Sequence, residues 1–251
     1  MQFREFDQRD HRVWSLLFEG LEDSRSYQAH PLFLSGLNKL GFCGERIPKL
    51  HEINAELREL TGWEGVPVKG LVDNKGFFQL LAEKKFPIGN FIRGAEVLSY
   101  TPEPDIFHDL YGHLPFFADF EYANFCFQFG KVATKYLLHD NYIEQFARLF
   151  WYGVEFPLIK CKGENRIFGG GILSSAAECD YCLSDEPELV DFDVEHIRRQ
   201  PYYIDDMQTK LFVLANPAKL YTCLYDFEKG LRHIDPTEDF AIKRREEAVL
   251  A

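Results

Sequence analysis

The chain has no run of 18 apolar residues, so no membrane-spanning helix is expected. Its opening, Met1-Gln-Phe-Arg-Glu-Phe-Asp-Gln-Arg-Asp-His11, lacks the apolar stretch of a secretory signal. Basic residues are in deficit: 28 Lys and Arg against 40 Asp and Glu leave a net charge of −12. That balance removes the attraction to phosphate backbones on which nucleic-acid binding rests. Cysteine is sparse and scattered, at 43, 126, 161, 179, 182 and 223. Such spacing does not form a disulfide framework and reads as reduced thiols in a cytoplasm. Internal repeats, low-complexity stretches and linkers are missing, as is a sustained βαβ alternation, which argues against a doubly wound sheet.

What is present is aromatic. With 24 Phe and 12 Tyr among 251 residues, the chain can fill a large core and still line a pocket with rings. We expect a predominantly helical α+β fold with a few short strands, forming a single domain over residues 1–251. Residues 1–45 read as an irregular, partly helical segment. Leu50 to Leu60 has apolar residues at 50, 53, 57 and 60, a helical spacing stopped by Gly62. Val66 to Val72 predicts a strand or extended loop, Gly76 to Ala82 a helix, and Ile88 to Ile92 a short strand. Pro102 and Pro104 with Glu103 and Asp105 favour a helix start after Thr101. Tyr122 to Leu138 is strongly amphipathic. A further helix, capped by Asn141, runs to Pro157. Arg166 to Leu173 reads as extended, Ser175-Ala-Ala-Glu178 as a capping box, Leu211 to Leu214 as a strand, and Asn216-Pro217 as the start of a last helix to about Leu231.

Three residues carry the chemistry: His108, His113 and Glu155. Two imidazoles and a carboxylate form a facial ligand set that leaves other positions on a metal open. The spacing is awkward, because five residues along an α-helix turn a side chain by roughly 140°. Gly112 and Pro115 offer a place for the helix to end or distort. This is not the His-Glu-x-x-His pattern of zinc proteases. On spacing alone, zinc and iron are not separated, and ordinary surface pairing of these side chains is an equal reading. A zinc hydrolase with an activated water, and a binding protein without catalysis, are the rival classes. Cys179-x-x-Cys182 has no second pair to complete a zinc site. Gly169-Gly-Gly171 lacks the spacing of a dinucleotide loop and permits close backbone packing. The other six histidines do not cluster.

At these positions the chain resembles the catalytic domain of the pterin-dependent aromatic amino acid hydroxylases, most of all the short bacterial phenylalanine hydroxylases. The resemblance is carried by Tyr100-Thr-Pro-Glu-Pro-Asp-Ile-Phe-His-Asp-Leu-Tyr-Gly-His-Leu-Pro115, Trp151-Tyr-Gly-Val-Glu-Phe156 and Gly169-Gly-Gly-Ile-Leu-Ser-Ser-Ala-Ala-Glu178. Leu60-Thr-Gly-Trp63, Val66 to Val72 and Phe91-Ile-Arg93 support it, over roughly residues 45–230. It implies Fe(II) on His108, His113 and Glu155, and a tetrahydropterin and O2 as co-substrates in hydroxylating phenylalanine to tyrosine. Arg93 is implied to hold the substrate carboxylate, with Tyr100, Thr101 and Ser174 nearby and Trp151 as a wall of the aromatic pocket. The family's pterin site falls on Val68, Gly70, Leu71, Val72, Phe77, Asp109, Ala147 and Phe150, and Glu178 is implied to brace the ligand shell.

The sequence departs from the animal enzymes in Asp109 (Glu there), Phe150 (Tyr there) and Pro87 (His there). These changes bear on the details of pterin contact. Trp151 matches phenylalanine and tyrosine hydroxylases, whereas tryptophan hydroxylases carry Phe. Ile204 stands where tyrosine hydroxylases carry Asp, so phenylalanine is the expected substrate, with some tyrosine or tryptophan turnover. The tail, 235–251, is too short for a long coiled coil, so a monomer is expected.

Overall fold

The computed structural model describes residues 4–98, 104–204 and 206–234. Helix α1 (Gln8–Gly20) starts on a reciprocal capping box between Asp7 and Asp10, and α2 (Pro31–Lys39) starts on a Pro with His30 as its cap. Together these make the first 45 residues more helical than their composition suggests. Helix α3 spans Leu50–Leu60 as the apolar spacing predicts, and Gly62 ends it at a φ of +78°.

Strand β1 (Glu64–Val68) pairs in parallel with β2 (Lys85–Gly89) across helix α4 (Asn74–Ala82). The second strand therefore lies a few residues earlier than Ile88 to Ile92. The chain is helical again from Ile106, while 101–103 lie outside the described residues. A π-helix covers His108–His113 and runs into α5 (Leu114–Phe117). Helix α6 (Phe120–Ala133) ends in a 3₁₀ turn at Thr134–Tyr136, short of Leu138. Helix α7 (Asp140–Phe150) passes directly into a second π-helix, Trp151–Glu155. Asn141 is not its cap. Its side chain instead exchanges two hydrogen bonds with the backbone of Ile234, at 2.7 and 3.1 Å, and ties the end of the described chain to α7.

Strands β3 (Leu158–Cys161), β4 (Glu164–Ile167), β5 (Glu188–Asp191) and β6 (Lys210–Leu214) form a mixed sheet in the order β4-β3-β6-β5. Only β3 and β4 are antiparallel. The extended segment expected over Arg166 to Leu173 stops at Ile167, and Gly170–Leu173 forms the short helix α8. Helices α9 (Ala176–Cys182), α10 (Val194–Ile197) and α11 (Pro217–Lys229, capped by Asn216) complete the described chain.

The core is built on rings. Phe33, Tyr111, Phe116, Phe117, Tyr122 and Phe168 are buried in one network, with Phe116 5.0 Å from Tyr122 and Phe107 stacked 4.8 Å from Tyr111. This packing lies behind the π-helix at His108–His113, where His113 is fully buried and His108 faces a cavity. Among the described residues no helix is long and apolar enough to cross a membrane.

Candidate metal centre and active site

The two π-helices resolve the spacing problem. A π-helix closes its hydrogen bonds from i to i+5, so residues five apart come to lie near one another. His108 and His113 accordingly bring their Nε2 atoms to 3.1 Å, with the rings at 71°. Glu155 ends the second π-helix, where the amide of Phe156 donates to the Trp151 carbonyl at 2.8 Å. Its Oε2 lies 3.0 Å from His113 Nε2 and 3.8 Å from His108 Nε2. All three ligand atoms fall within 4.8 Å of one another. Ligands about 2.1 Å from one ion and at right angles to each other stand about 3 Å apart, so this set fits a single transition-metal ion.

Protonation favours the same reading. Burial, and secondarily the neighbouring His113, hold His108 down at about 4, so the imidazole is neutral at pH 7. Burial raises Glu155, but His113 and His108 outweigh it and keep the carboxyl below its ordinary value. The tautomer of His108 is also set. Ser174 Oγ donates to the Gly171 carbonyl at 3.0 Å and sits 2.9 Å from His108 Nδ1, so Nδ1 carries the proton and Nε2 keeps its lone pair for the metal.

Glycines let α8 approach this closely. A Cβ at Gly170 would lie 2.6 Å from the Cε1 and Nδ1 atoms of His113, and one at Gly169 would lie 2.2 Å from the Glu155 carbonyl oxygen. The glycine run is therefore the floor of the ligand shell, which is the close backbone packing expected of it.

His108 and Glu155 line a cavity of about 320 Å³, with His113 buried behind them. Val68, Gly70, Leu71, Val72, Phe77, Asp109, Ala147 and Phe150 line it, as do Arg93, Trp151, Ser174 and Ile204. Tyr100 and Thr101 lie outside the described residues. Within the cavity some expectations sharpen. Leu71 and Ile204 are 69% and 60% exposed and stand at the rim. Phe77 meets Phe150 edge-on at 4.8 Å. Asp109 accepts from the Gly89 amide at 2.6 Å, and burial pushes its carboxyl well above the carboxylate range. Trp151 is stacked between Phe156 and Tyr202, each 4.7 Å away.

Residues 2–234 match the family model described as biopterin-dependent aromatic amino acid hydroxylase. The chain belongs to this family. It is 38% identical over 218 residues to the phenylalanine-4-hydroxylase of Vibrio cholerae, covering 86% of this chain and 75% of that one. It is 39% identical over 231 residues to that of Pseudomonas aeruginosa, covering 92% and 87%. The crystal structure of Chromobacterium violaceum phenylalanine hydroxylase, with bound iron(III) and 7,8-dihydrobiopterin, superposes with a TM-score of 0.85 at 35% identity, covering 89% of this chain and 82% of that one.

In this hydroxylase some residues that organise the site went unread in the sequence. Asp105, completely buried, accepts from Arg93 Nε at 2.8 Å and Nη2 at 2.9 Å, and its Oδ1 also accepts from the His108 amide at 3.0 Å. Burial pushes this carboxyl up, but the Arg93 fork pulls it below the usual range. In the sequence Asp105 was only an acid in a first turn. Tyr202 and Asn74 line the cavity without belonging to any motif. At Glu178 the backbone amide donates to Ser175 Oγ at 3.3 Å, which is half of the expected capping box. The other half is missing, because the Ser175 amide donates to the Ile172 carbonyl instead.

Proposed function

We infer that the protein is a non-haem iron, tetrahydropterin-dependent monooxygenase that hydroxylates phenylalanine to tyrosine with O2. The observation that carries this reading is the meeting of His108, His113 and Glu155 at one point on a cavity that also holds Arg93. Iron and reduced pterin, when bound, activate O2 and supply the two electrons that the monooxygenation needs.

The chain's own residues supply position and environment. Arg93 has five N–H groups, and among the described residues three are engaged, by Asp105 and the Leu98 carbonyl, which leaves two for a substrate carboxylate. Asp105 fixes the guanidinium plane and, through the His108 amide, places it relative to the metal ligand. Trp151, held between Phe156 and Tyr202, offers a rigid wall for a phenyl ring, and Ile204 at the rim presents no acid to a phenol. Val68 to Val72, Phe77, Asp109, Ala147 and Phe150 are the proposed pterin contacts. The aromatic lining keeps bulk water from the reacting atoms. The reading includes a single catalytic domain acting as a monomer in the cytoplasm, and the six free cysteines support a reducing compartment.

Aerobic incubation with Fe(II), a tetrahydropterin and phenylalanine tests the reading, with tyrosine quantified by chromatography and tyrosine and tryptophan run as parallel substrates. Tyrosine formation that is lost when iron or pterin is omitted is the expected result. A folded, iron-loaded protein that makes no product from any of the three amino acids overturns it.

A further inference from the structure

Each of the two π-helices that carry metal ligands also carries one buried tyrosine, and neither tyrosine lines the cavity. Tyr111 lies between His108 and His113. Its ring stacks on Phe107 and meets Phe33 and Phe18 edge-on at 5.4 and 5.5 Å. Its hydroxyl accepts from Arg25 Nη1 at 3.2 Å, across 86 residues of chain. That guanidinium is itself held fast. It is buried, donates to the Phe18 carbonyl at 2.9 Å and to the Glu22 carboxylate, and lies over the Phe18 ring, 4.1 Å from its centre. Tyr152 lies three residues before Glu155. Its hydroxyl donates to the Pro201 carbonyl at 2.5 Å, 49 residues away, and its ring meets Phe212 of β6 edge-on at 5.0 Å.

A phenylalanine would fill either position equally well, and it would bury no polar group. Burying a phenol hydroxyl is costly unless it is paired, so a tyrosine in such a place argues for a use of the hydroxyl. The winding of the two helices supplies that use. A π-helix is rare and short, so packing around it, rather than local preference, has to hold it. If the His108–His113 backbone relaxed to an α-helix, the two imidazoles would be turned apart by roughly 140° and the ligand set would be lost. We propose that Tyr111 and Tyr152 are positioning residues. Their hydroxyl bonds to Arg25 and to the Pro201 carbonyl pin the two ligand-bearing π-helices in the winding that lets His108, His113 and Glu155 share one ion. Iron affinity then depends on Arg25, a side chain that touches neither the cavity nor a ligand. This deepens the iron-enzyme reading and rests on its metal site.

Tyr111→Phe and Tyr152→Phe delete the hydroxyls and nothing else. Tyr122→Phe is the control, because Tyr122 is equally buried in the same ring network and its hydroxyl has no partner among the described residues. Fe(II) affinity is measured anaerobically by competition with a chelator, and Tm is measured on the metal-free proteins. Affinity should fall by about tenfold in Tyr111→Phe and in Tyr152→Phe, the low end of what loss of a group supporting a ligand costs, and stay within twofold of the parent in Tyr122→Phe. A lowered Tm with unchanged iron affinity would mean that the hydroxyls hold the fold and not the ligands, and overturns the proposal. So does an equal loss of affinity in all three variants. Arg25→Met, alone and combined with Tyr111→Phe, isolates the bond between them. Each single change should weaken iron binding to the same extent, and the pair no further. Losses that multiply in the double variant overturn the role of Arg25. A folded parent that takes up no Fe(II) removes the metal reading and this proposal with it, whereas a parent that binds iron no better than Tyr111→Phe and Tyr152→Phe removes only the pins.

Discussion

The guanidinium of Arg93 and the carboxylate of Asp105 meet in a two-point fork, Nε to Oδ2 at 2.8 Å and Nη2 to Oδ1 at 2.9 Å, with both groups buried. A Lys at position 93 keeps the charge but cannot form the fork. Arg93→Lys should leave Asp105 poorly paired and lower the unfolding free energy by about 3 kcal/mol, as measured by urea titration. The same variant should weaken L-phenylalanine binding at least tenfold. Wild-type stability would show that Asp105 does not depend on the pair.

Ser174 fixes the proton of His108 on Nδ1. Ser174→Ala removes that constraint while leaving the carbon framework in place. Iron affinity, measured by competition with a chelator, should fall by about 10–100-fold with little change in Tm. Affinity within twofold of the parent would mean that packing alone orients the imidazole.

Gly170→Ala would place a methyl 2.6 Å from the His113 ring and 2.9 Å from the Gly112 carbonyl oxygen. The ring has to move, so the variant should lose iron and about 2 kcal/mol of stability. Gly20→Ala, which has nothing within 4 Å of the new methyl, is the control and should change neither. Full iron occupancy in Gly170→Ala would contradict the floor role given to α8.

Glu178 sets a pH dependence of stability. Its carboxyl is raised from 4.5 to about 7, so between those values the folded protein holds a proton that the unfolded chain has released. Stability from this group is therefore full below about pH 4.5 and is lost as pH rises through 7. Replacing the acid by Gln removes the penalty. Glu178→Gln should be more stable than the parent at pH 8, by up to about 3 kcal/mol, and equal to it at pH 4.5. Parallel stability curves for the two proteins across that range would contradict the assignment.

Much of this architecture can be read without coordinates. Helices α3 and α6 follow from apolar periodicity, with α3 stopped at Gly62, and α11 follows from its start at Asn216 and Pro217. The ligand trio was legible because the block from Tyr100 to Pro115, which holds both histidines, and the segment Trp151 to Phe156, which holds Glu155, are distinctive. What hid was backbone geometry off the 3.6-residue period. Nothing in the sequence between His108 and His113 announces a π-helix, and only that winding joins the two imidazoles. Asn141 has the chemistry of a cap, but it is spent on Ile234, nearly a hundred residues away. Arg166 to Leu173 read as extended because glycines carry no periodicity. Glu178 matched a capping motif, and no local pattern reveals that a side chain faces a cavity. Asp105 was hidden for the same reason, since its importance comes from two partners that tertiary packing brings together.

A π-helix is an α-helix that has accommodated one extra residue. The winding of His108–His113 can therefore be described as a count along the chain. Take one residue out between the two histidines, and the remaining stretch has a natural α-helical phase. The imidazoles would still share a face, now at the i, i+4 spacing that zinc proteases use on an unbroken helix. The distance between these two kinds of metal site, measured along the polypeptide, is thus a single insertion.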